Sequence, residues 1–250
     1  MRQFLTLSLL LFILSACGTN GEEQTTLTIA AASSLSDAME ELSVAYEVEH
    51  PDTEIVLNFA SSGVLANQIK QGAPIDVFLL ASKDHYNELV KGDLIDPERH
   101  TNLLSNKLVL ISNEATSLAG WDDLLSDRID RIAIGTPETV PAGAYAKEAL
   151  QSLQMMDKLD EQLIFAKDVR QVLTYVETGN ADAGIVYRTD YLTSNKVNLV
   201  AEAPLEANSP ITYPAGVVND AQEEAKTFFT YLQSEEAMTI FKKYGFQGKK

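Results

Sequence analysis

Short apolar runs alternate with segments of helical period along almost the whole chain, and this restricts the fold more than any other feature. Strands separated by helices close into parallel units, so the pattern predicts an α/β fold with parallel sheets. Leu27–Ala32 is apolar but for Thr28, which suits a strand covered on both faces. Glu54–Phe59, Ile75–Leu80, Lys107–Ser112, Arg131–Gly135, Ala183–Val186, Val197–Ala203 and Ile211–Val218 read as further strands. Helices are expected over Ser36–Val48, with Ala38, Leu42 and Ala45 on one stripe, and over Gly63–Gln71, Ala142–Leu153 and Val169–Thr178. Gly72 and Gly179 stand where helices should stop. Gln222–Tyr244 supplies one or two terminal helices.

A chain of 250 residues holds one large domain or two of ordinary size. No Pro/Gly-rich linker divides it, yet the number of strand–helix units asks for two lobes. Two lobes without a simple linker require a chain that crosses between them more than once. The net charge of −17 speaks against nucleic acid or an anionic membrane held by a basic patch. One cysteine excludes a disulfide framework and a multi-cysteine zinc site. His50, His85 and His100 fit no metal-ligand spacing and read as surface residues.

Residues 1–17 carry Arg2 and then an apolar run from Phe4 to Leu14, too short to span a bilayer comfortably. This is the layout of an export signal over residues 1–16. Leu14-Ser15-Ala16-Cys17 resembles a bacterial lipobox, and Cys17 is the sole cysteine of the chain. The resemblance implies cleavage before Cys17, lipidation of its thiol, and a body held at the extracytoplasmic face of the cell membrane by acyl chains. Residues 17–26 are then the lipidated cysteine and a small, polar, flexible tether.

Several strand ends run directly into helix starts through small residues. Ser34 precedes Asp37 at capping-box spacing. Ser61 or Ser62 is placed to cap the helix that follows Phe59-Ala60, Pro141 suits a first helical turn, and Asp168 is a candidate N-cap. Gly184-Ile185-Val186 ends on the hydroxyl of Tyr187. Taken singly, each is an ordinary cap or packing residue. Together they matter, because ligands of open α/β sheets bind beyond the carboxyl ends of the strands. Helix starts there offer free N–H groups and a partial positive charge, which favours a small anion.

The strings AAASSLSDAM, FASSGVLANQIKQGAPIDVF, GTPETVPAGAYAKEAL, KDVRQVL, GIVYRTD and FKKYGFQ, in this order, resemble the molybdate-binding proteins of bacterial molybdate ABC transporters. The resemblance covers the chain beyond the signal nearly end to end. It implies a two-lobed periplasmic-binding-protein fold of type II, with the ligand in the cleft between the lobes. Lobe I would take 27–105 plus 213–250, and lobe II 106–212. The family's binding positions fall on Ser34, Ser62, Ala142, Val169 and Tyr187, with Ser33 offering a second hydroxyl beside Ser34. The implied ligand is molybdate or tungstate, held with no direct metal coordination and no cofactor. The implied partners are an ABC permease and its cytoplasmic ATPase, and the body is expected to be a monomer.

These residue types suit such an anion. Molybdate carries no proton near neutral pH and only accepts hydrogen bonds. Ser34, Ser62 and Tyr187 can donate hydroxyl hydrogens, and Ala142 and Val169 backbone N–H groups. Arg170 follows Val169 and reads as a surface or lobe-closing salt bridge. A binding protein for sulfate or an iron–anion complex is an alternative, as is a surface adhesion lipoprotein. A hydrolytic enzyme is disfavoured, because no G-x-S-x-G, P-loop or G-x-G-x-x-G is present and no base stands near a nucleophile.

Overall fold

A computed structural model describes residues 24–248. The expected export signal and Cys17 lie outside the described residues. The elements run β1 (Thr25–Ala32), α1 (Ser36–Glu49), β2 (Thr53–Ala60), α2 (Ser62–Lys70), β3 (Val77–Leu79), α3 (Lys83–Lys91), β4 (Ile95–Ser105) and β5 (Leu108–Asn113). They continue with β6 (Ile132–Gly135), α4 (Pro141–Ser152), α5 (Met156–Leu159), β7 (Leu163–Ala166), α6 (Val169–Glu177), β8 (Ala183–Tyr187), α7 (Arg188–Leu192) and β9 (Val197–Glu202). The last are β10 (Thr212–Val218), α8 (Glu223–Tyr231), α9 (Glu235–Lys243) and β11 (Gln247–Gly248).

The strands form two sheets, one six-stranded in the order β11-β4-β10-β3-β1-β2 and one five-stranded in the order β7-β6-β8-β5-β9. The chain passes from the first sheet to the second between Ser105 and Leu108, and returns between Glu202 and Thr212. The two crossings touch, Asn106 N–H donating to the Ile211 carbonyl at 3.3 Å.

The sheets are mixed rather than parallel throughout. Strands β1, β2 and β3 run parallel, as do β6, β7 and β8. The strands on either side of the crossings run antiparallel: β10 against β3 and β4, and β5 against β8 and β9. The chain leaves one sheet and re-enters it at the same end, so the departing and returning strands lie side by side in opposite directions. Thr25 and Thr26, expected in the tether, belong to β1, paired with Thr53 and Glu54. Strands β4, β7 and β11 and the short helices α5 and α7 are additions to the sequence reading.

Residues inside the parallel strands are buried on both faces, including Leu27, Ile29, Ala30 and Ala31 of β1 and Val77, Phe78 and Leu79 of β3. A large core joins residues of both sheets, from Leu27 and Met39 to Val109, Ile134 and Val186. Gly72 takes φ +76° and Gly179 φ +69° just past α2 and α6, the left-handed conformation that stops a helix.

Candidate functional site

The carboxyl ends of the parallel strands point at one another across the cleft. On one side β1 runs into the helical turn Ser33–Leu35, β2 into α2, and β3 into Leu80 and Ala81. On the other, β6 leads to α4, β7 to α6, and β8 to α7. Between them lies a small cavity walled by Ala32, Ser33, Ser34, Ala60, Ser61, Ser62, Ala81, Val140, Pro141, Ala142, Val169 and Tyr187. Its walls leave about 10 Å³ open to the centre of a water-sized sphere. All five residues singled out from the sequence, Ser34, Ser62, Ala142, Val169 and Tyr187, are buried and stand in this wall. Ser33 and Ser61 join them. None of the three histidines does.

The hydroxyls of the wall can give a hydrogen to a ligand. Ser62 is the first residue of α2, and its Oγ accepts from Ala81 N–H at 2.8 Å. That leaves the Ser62 hydroxyl hydrogen for the cavity. Ser34 Oγ lies 2.9 Å from Tyr213 Oη. The Tyr187 hydroxyl and the Ser61 hydroxyl are buried and have no hydrogen-bond partner among the described residues. Burial pushes the Tyr187 and Tyr213 hydroxyls well above the usual tyrosine range, so both keep their hydrogens at neutral pH. Ala142 follows Pro141 in the first turn of α4, and Val169 opens α6. First-turn amides have no acceptor one turn earlier, so these N–H groups are free for a ligand. No charged side chain lines the cavity.

The local chemistry that builds these helix starts is partly that of the sequence reading and partly not. Asp168 caps α6, accepting from Gln171 N–H at 2.8 Å. Pro141 occupies the first turn of α4, where its missing N–H costs nothing. Gly143 packs directly on Gly135, so α4 begins hard against the end of β6 and holds Ala142 at the wall. The capping arrangement expected of Ser34 and Asp37 does not form. Helix α1 has no side-chain cap, and Ser61, at the N-cap of α2, makes no capping bond. Tertiary partners win over local ones: Asp37 is taken by Arg170, and Ser34 by Tyr213.

Arg170 stands behind the cavity as a tie between the two sheets' helices. Its Nη2 bonds Asp37 of α1, its Nη1 donates to Thr193 Oγ1 at 2.8 Å, and its Nε lies 3.1 Å from Asp190 Oδ1. Asp190 is buried, and its other oxygen accepts from Tyr187 N–H at 3.2 Å. Burial lifts its carboxyl to about 7 against the opposing pull of Arg170 and the Tyr187 amide. Tyr213, Asn106 and Asp190 escape sequence reasoning, because their partners lie far away along the chain and share no spacing. Ser61 was legible beside Ser62 only as an alternative cap.

A family model described as bacterial extracellular solute-binding protein matches residues 27–247. The protein YvgL of Bacillus subtilis (strain 168), whose name places it among ABC transporter substrate-binding lipoproteins, is 48% identical over 91% of this chain and 88% of its own length. ModA of Escherichia coli (strain K12), named a molybdate-binding protein, is 39% identical over 88% of each chain. The periplasmic molybdate-binding protein of Azotobacter vinelandii superposes with a TM-score of 0.80 over 90% of this chain and 100% of that one. At 23% identity this last likeness speaks for the fold alone, a two-lobed α/β periplasmic-binding-protein architecture. With two sheets joined by a double crossing, a small cavity at their facing strand ends, and these relatives along nearly its full length, the chain belongs to the bacterial extracellular solute-binding protein family, in the group that contains the molybdate-binding proteins ModA.

Proposed function

We propose that this chain captures molybdate, and tungstate about as well, outside the cytoplasmic membrane and delivers it to an ABC permease driven by a cytoplasmic ATPase. One observation carries the reading. The cavity wall combines hydroxyls and helix-start amides from both sheets and, among the described residues, contains no charged side chain and includes a buried Tyr187 hydroxyl that has no hydrogen-bond partner. Such a wall offers hydrogens and no strong acceptor, which matches a proton-free oxyanion and disfavours one that carries a proton. The partial positive charge of the starts of α2, α4 and α6 supplies the electrostatic part. In a dry site such dipoles act at low dielectric, so no lysine or arginine is needed.

Capture works by closure. Ser34 and Ser62 come from the six-stranded side, and Ala142, Val169 and Tyr187 from the five-stranded side. An anion touching both sets gains its full complement of bonds only when the lobes meet, so it favours the closed form by that difference. Molybdate needs no cofactor here, and the reading assigns the chain no catalysis. Cys17 would carry the lipid anchor, and the body would act as a monomer. The name of the lipoprotein relative supports the anchor, and that of the molybdate-binding relative supports the ligand.

The test is a thermal-shift titration of the full chain with molybdate, tungstate, sulfate and phosphate at matched ionic strength. A ligand at 100 times its Kd adds ~2.7 kcal/mol of apparent stability. Stabilisation by molybdate and tungstate, with sulfate and phosphate silent, is the expected result. Sulfate acting as strongly would keep the site and reassign the ligand. Silence from every oxyanion would remove the reading.

A further inference from the structure

We propose that Asn106 and Tyr213 are positioning residues that turn the Ser34 hydroxyl hydrogen into the cavity and so disfavour anions that carry a proton. The inference rests on the oxyanion reading above and deepens it.

The direction of each hydrogen bond follows from the one before. Asn106 Oδ1 accepts from Lys107 N–H at 2.9 Å, which turns the amide nitrogen the other way. That nitrogen donates to Thr189 Oγ1 at 2.9 Å and to Tyr213 Oη at 3.1 Å. Tyr213 is completely buried, and its hydroxyl has a single hydrogen. Were Ser34 also to donate to it, that hydrogen would be left without an acceptor, which native interiors avoid. Tyr213 therefore donates to Ser34 Oγ across the 2.9 Å contact. Ser34 Oγ, already accepting, has its own hydrogen left for the cavity it lines. The three groups form an aligned chain in which each bond polarises the next.

Ser62 reaches the same end by a simpler route. The fixed N–H of Ala81 occupies its oxygen at 2.8 Å, and no rearrangement of side chains can reverse that. The polarity of Ser34 is reversible, because it depends on which way a tyrosine and an asparagine point. Those two residues sit at the chain crossings: Asn106 on the first, Tyr213 just past the second. Thr189, the other partner of Asn106, belongs to the helix that begins after Tyr187. The donor state of Ser34 is thus tied to the place where the lobes join.

The consequence is chemical selectivity. Molybdate and tungstate have no proton to donate near neutral pH, whereas phosphate keeps one that needs an acceptor. With Ser34 held as a donor, its hydrogen rather than a lone pair faces that proton. With Ser34 free to rotate, its lone pairs can receive it.

The experiment compares the full chain with Tyr213→Phe and Asn106→Asp by calorimetric titration with molybdate at pH 7, then by displacement of molybdate with inorganic phosphate. Unfolding midpoints without ligand report folding. Tyr213→Phe releases Ser34. Molybdate should bind roughly 10-fold more weakly, and phosphate should displace it at concentrations that leave the wild-type chain loaded. Asn106→Asp puts an acceptor against Tyr213 and reverses the chain, turning Ser34 lone pairs inward. Its loss of molybdate affinity should exceed that of Tyr213→Phe. Asn106 is only partly buried, so this variant decides the matter if Tyr213→Phe does not fold. Unchanged molybdate affinity in a folded variant overturns the proposal. So does an equal weakening of both anions, which would mean that the pair only fills space. If the wild-type chain binds no oxyanion, the reading of the site fails first and this inference falls with it.

Discussion

The amide of Gly63, in the first turn of α2, donates to the carbonyl of Thr139 at 3.0 Å, joining a helix of the six-stranded side to the loop before α4 on the other. A Cβ at position 63 would lie 2.7 Å from that carbonyl oxygen and 2.9 Å from Thr139 Cα. Both are backbone atoms, which cannot swing aside. Gly63→Ala should therefore hold the lobes apart without disturbing either one. Overpacking of this kind costs ~1–3 kcal/mol, which amounts to roughly 5- to 150-fold in molybdate affinity. The ligand-free unfolding midpoint should stay where it is. Wild-type affinity in Gly63→Ala would show that this contact plays no part in closure.

Tyr187→Phe separates binding from stability in the opposite way. The Tyr187 hydroxyl is buried without a protein partner, a cost that the ligand-free chain carries alone. Its removal should leave the ligand-free chain as stable as before or more so. Molybdate should bind about 10- to 150-fold more weakly, the loss of one hydrogen bond to a charged group. Calorimetry and thermal unfolding on the same preparation check both halves. Unchanged affinity would take Tyr187 out of the site.

Val169 gives a test of backbone donation. It is the first residue of α6, where proline is tolerated because that N–H has no helical acceptor. Val169→Ala keeps the amide and should bind molybdate within a few-fold of wild type. Val169→Pro removes the amide while keeping the helix, and should bind at least roughly 10-fold more weakly. Circular dichroism confirms the helix content of both. Loss of binding in a folded Val169→Ala would contradict a role limited to the backbone.

Asp190 predicts a pH dependence of stability. Its carboxyl is lifted from 3.8 to about 7 by burial, so the folded chain holds a proton that the unfolded chain releases. A raised pKa means that this contribution is complete below pH 3.8 and is lost as pH rises toward about 7. The loss over that window is up to roughly 4 kcal/mol. Asp190→Asn lacks the titration, so its urea midpoint should fall less steeply between those pH values. Parallel curves for the two chains would show that Asp190 is ionised throughout.

Elements with a local signature were readable in advance. An apolar run such as Leu27–Ala32 can be buried on both faces only in an inner strand, and β1 is one. Strand β4 was not readable, because its polar stretch Asp96–Asn102 gives neither an apolar run nor a clean alternation. Strand β7 is a short edge strand, and its four apolar residues, Leu163–Ala166, are too short a run to be told from a helix segment by periodicity.

The same division runs through the site. Ser34, Ser62, Ala142, Val169 and Tyr187 each stand where a strand ends and a helix or turn begins, a junction set by neighbours in the chain. Periodicity, glycine and proline at the helix boundaries, and small residues at the strand ends marked the junctions, at Ser34, Ser61 or Ser62, Pro141, Asp168 and Tyr187, because the forces involved act over a few residues; which residues at them face the ligand was implied only by the resemblance to the molybdate-binding proteins. The direction in which each hydroxyl gives its hydrogen, and the partner of each buried charge, had no such local cause. Ser34 and Tyr213 are 179 residues apart, Asn106 and Tyr213 107, and Arg170 and Asp37 133. Hydrogen bonds and ion pairs form between whatever groups folding brings within reach, and only the double crossing between the sheets brought these together. That is why Asp37, spaced as a cap, became instead a tie to Arg170, and why Ser34 took its polarity from a tyrosine near the other end of the chain.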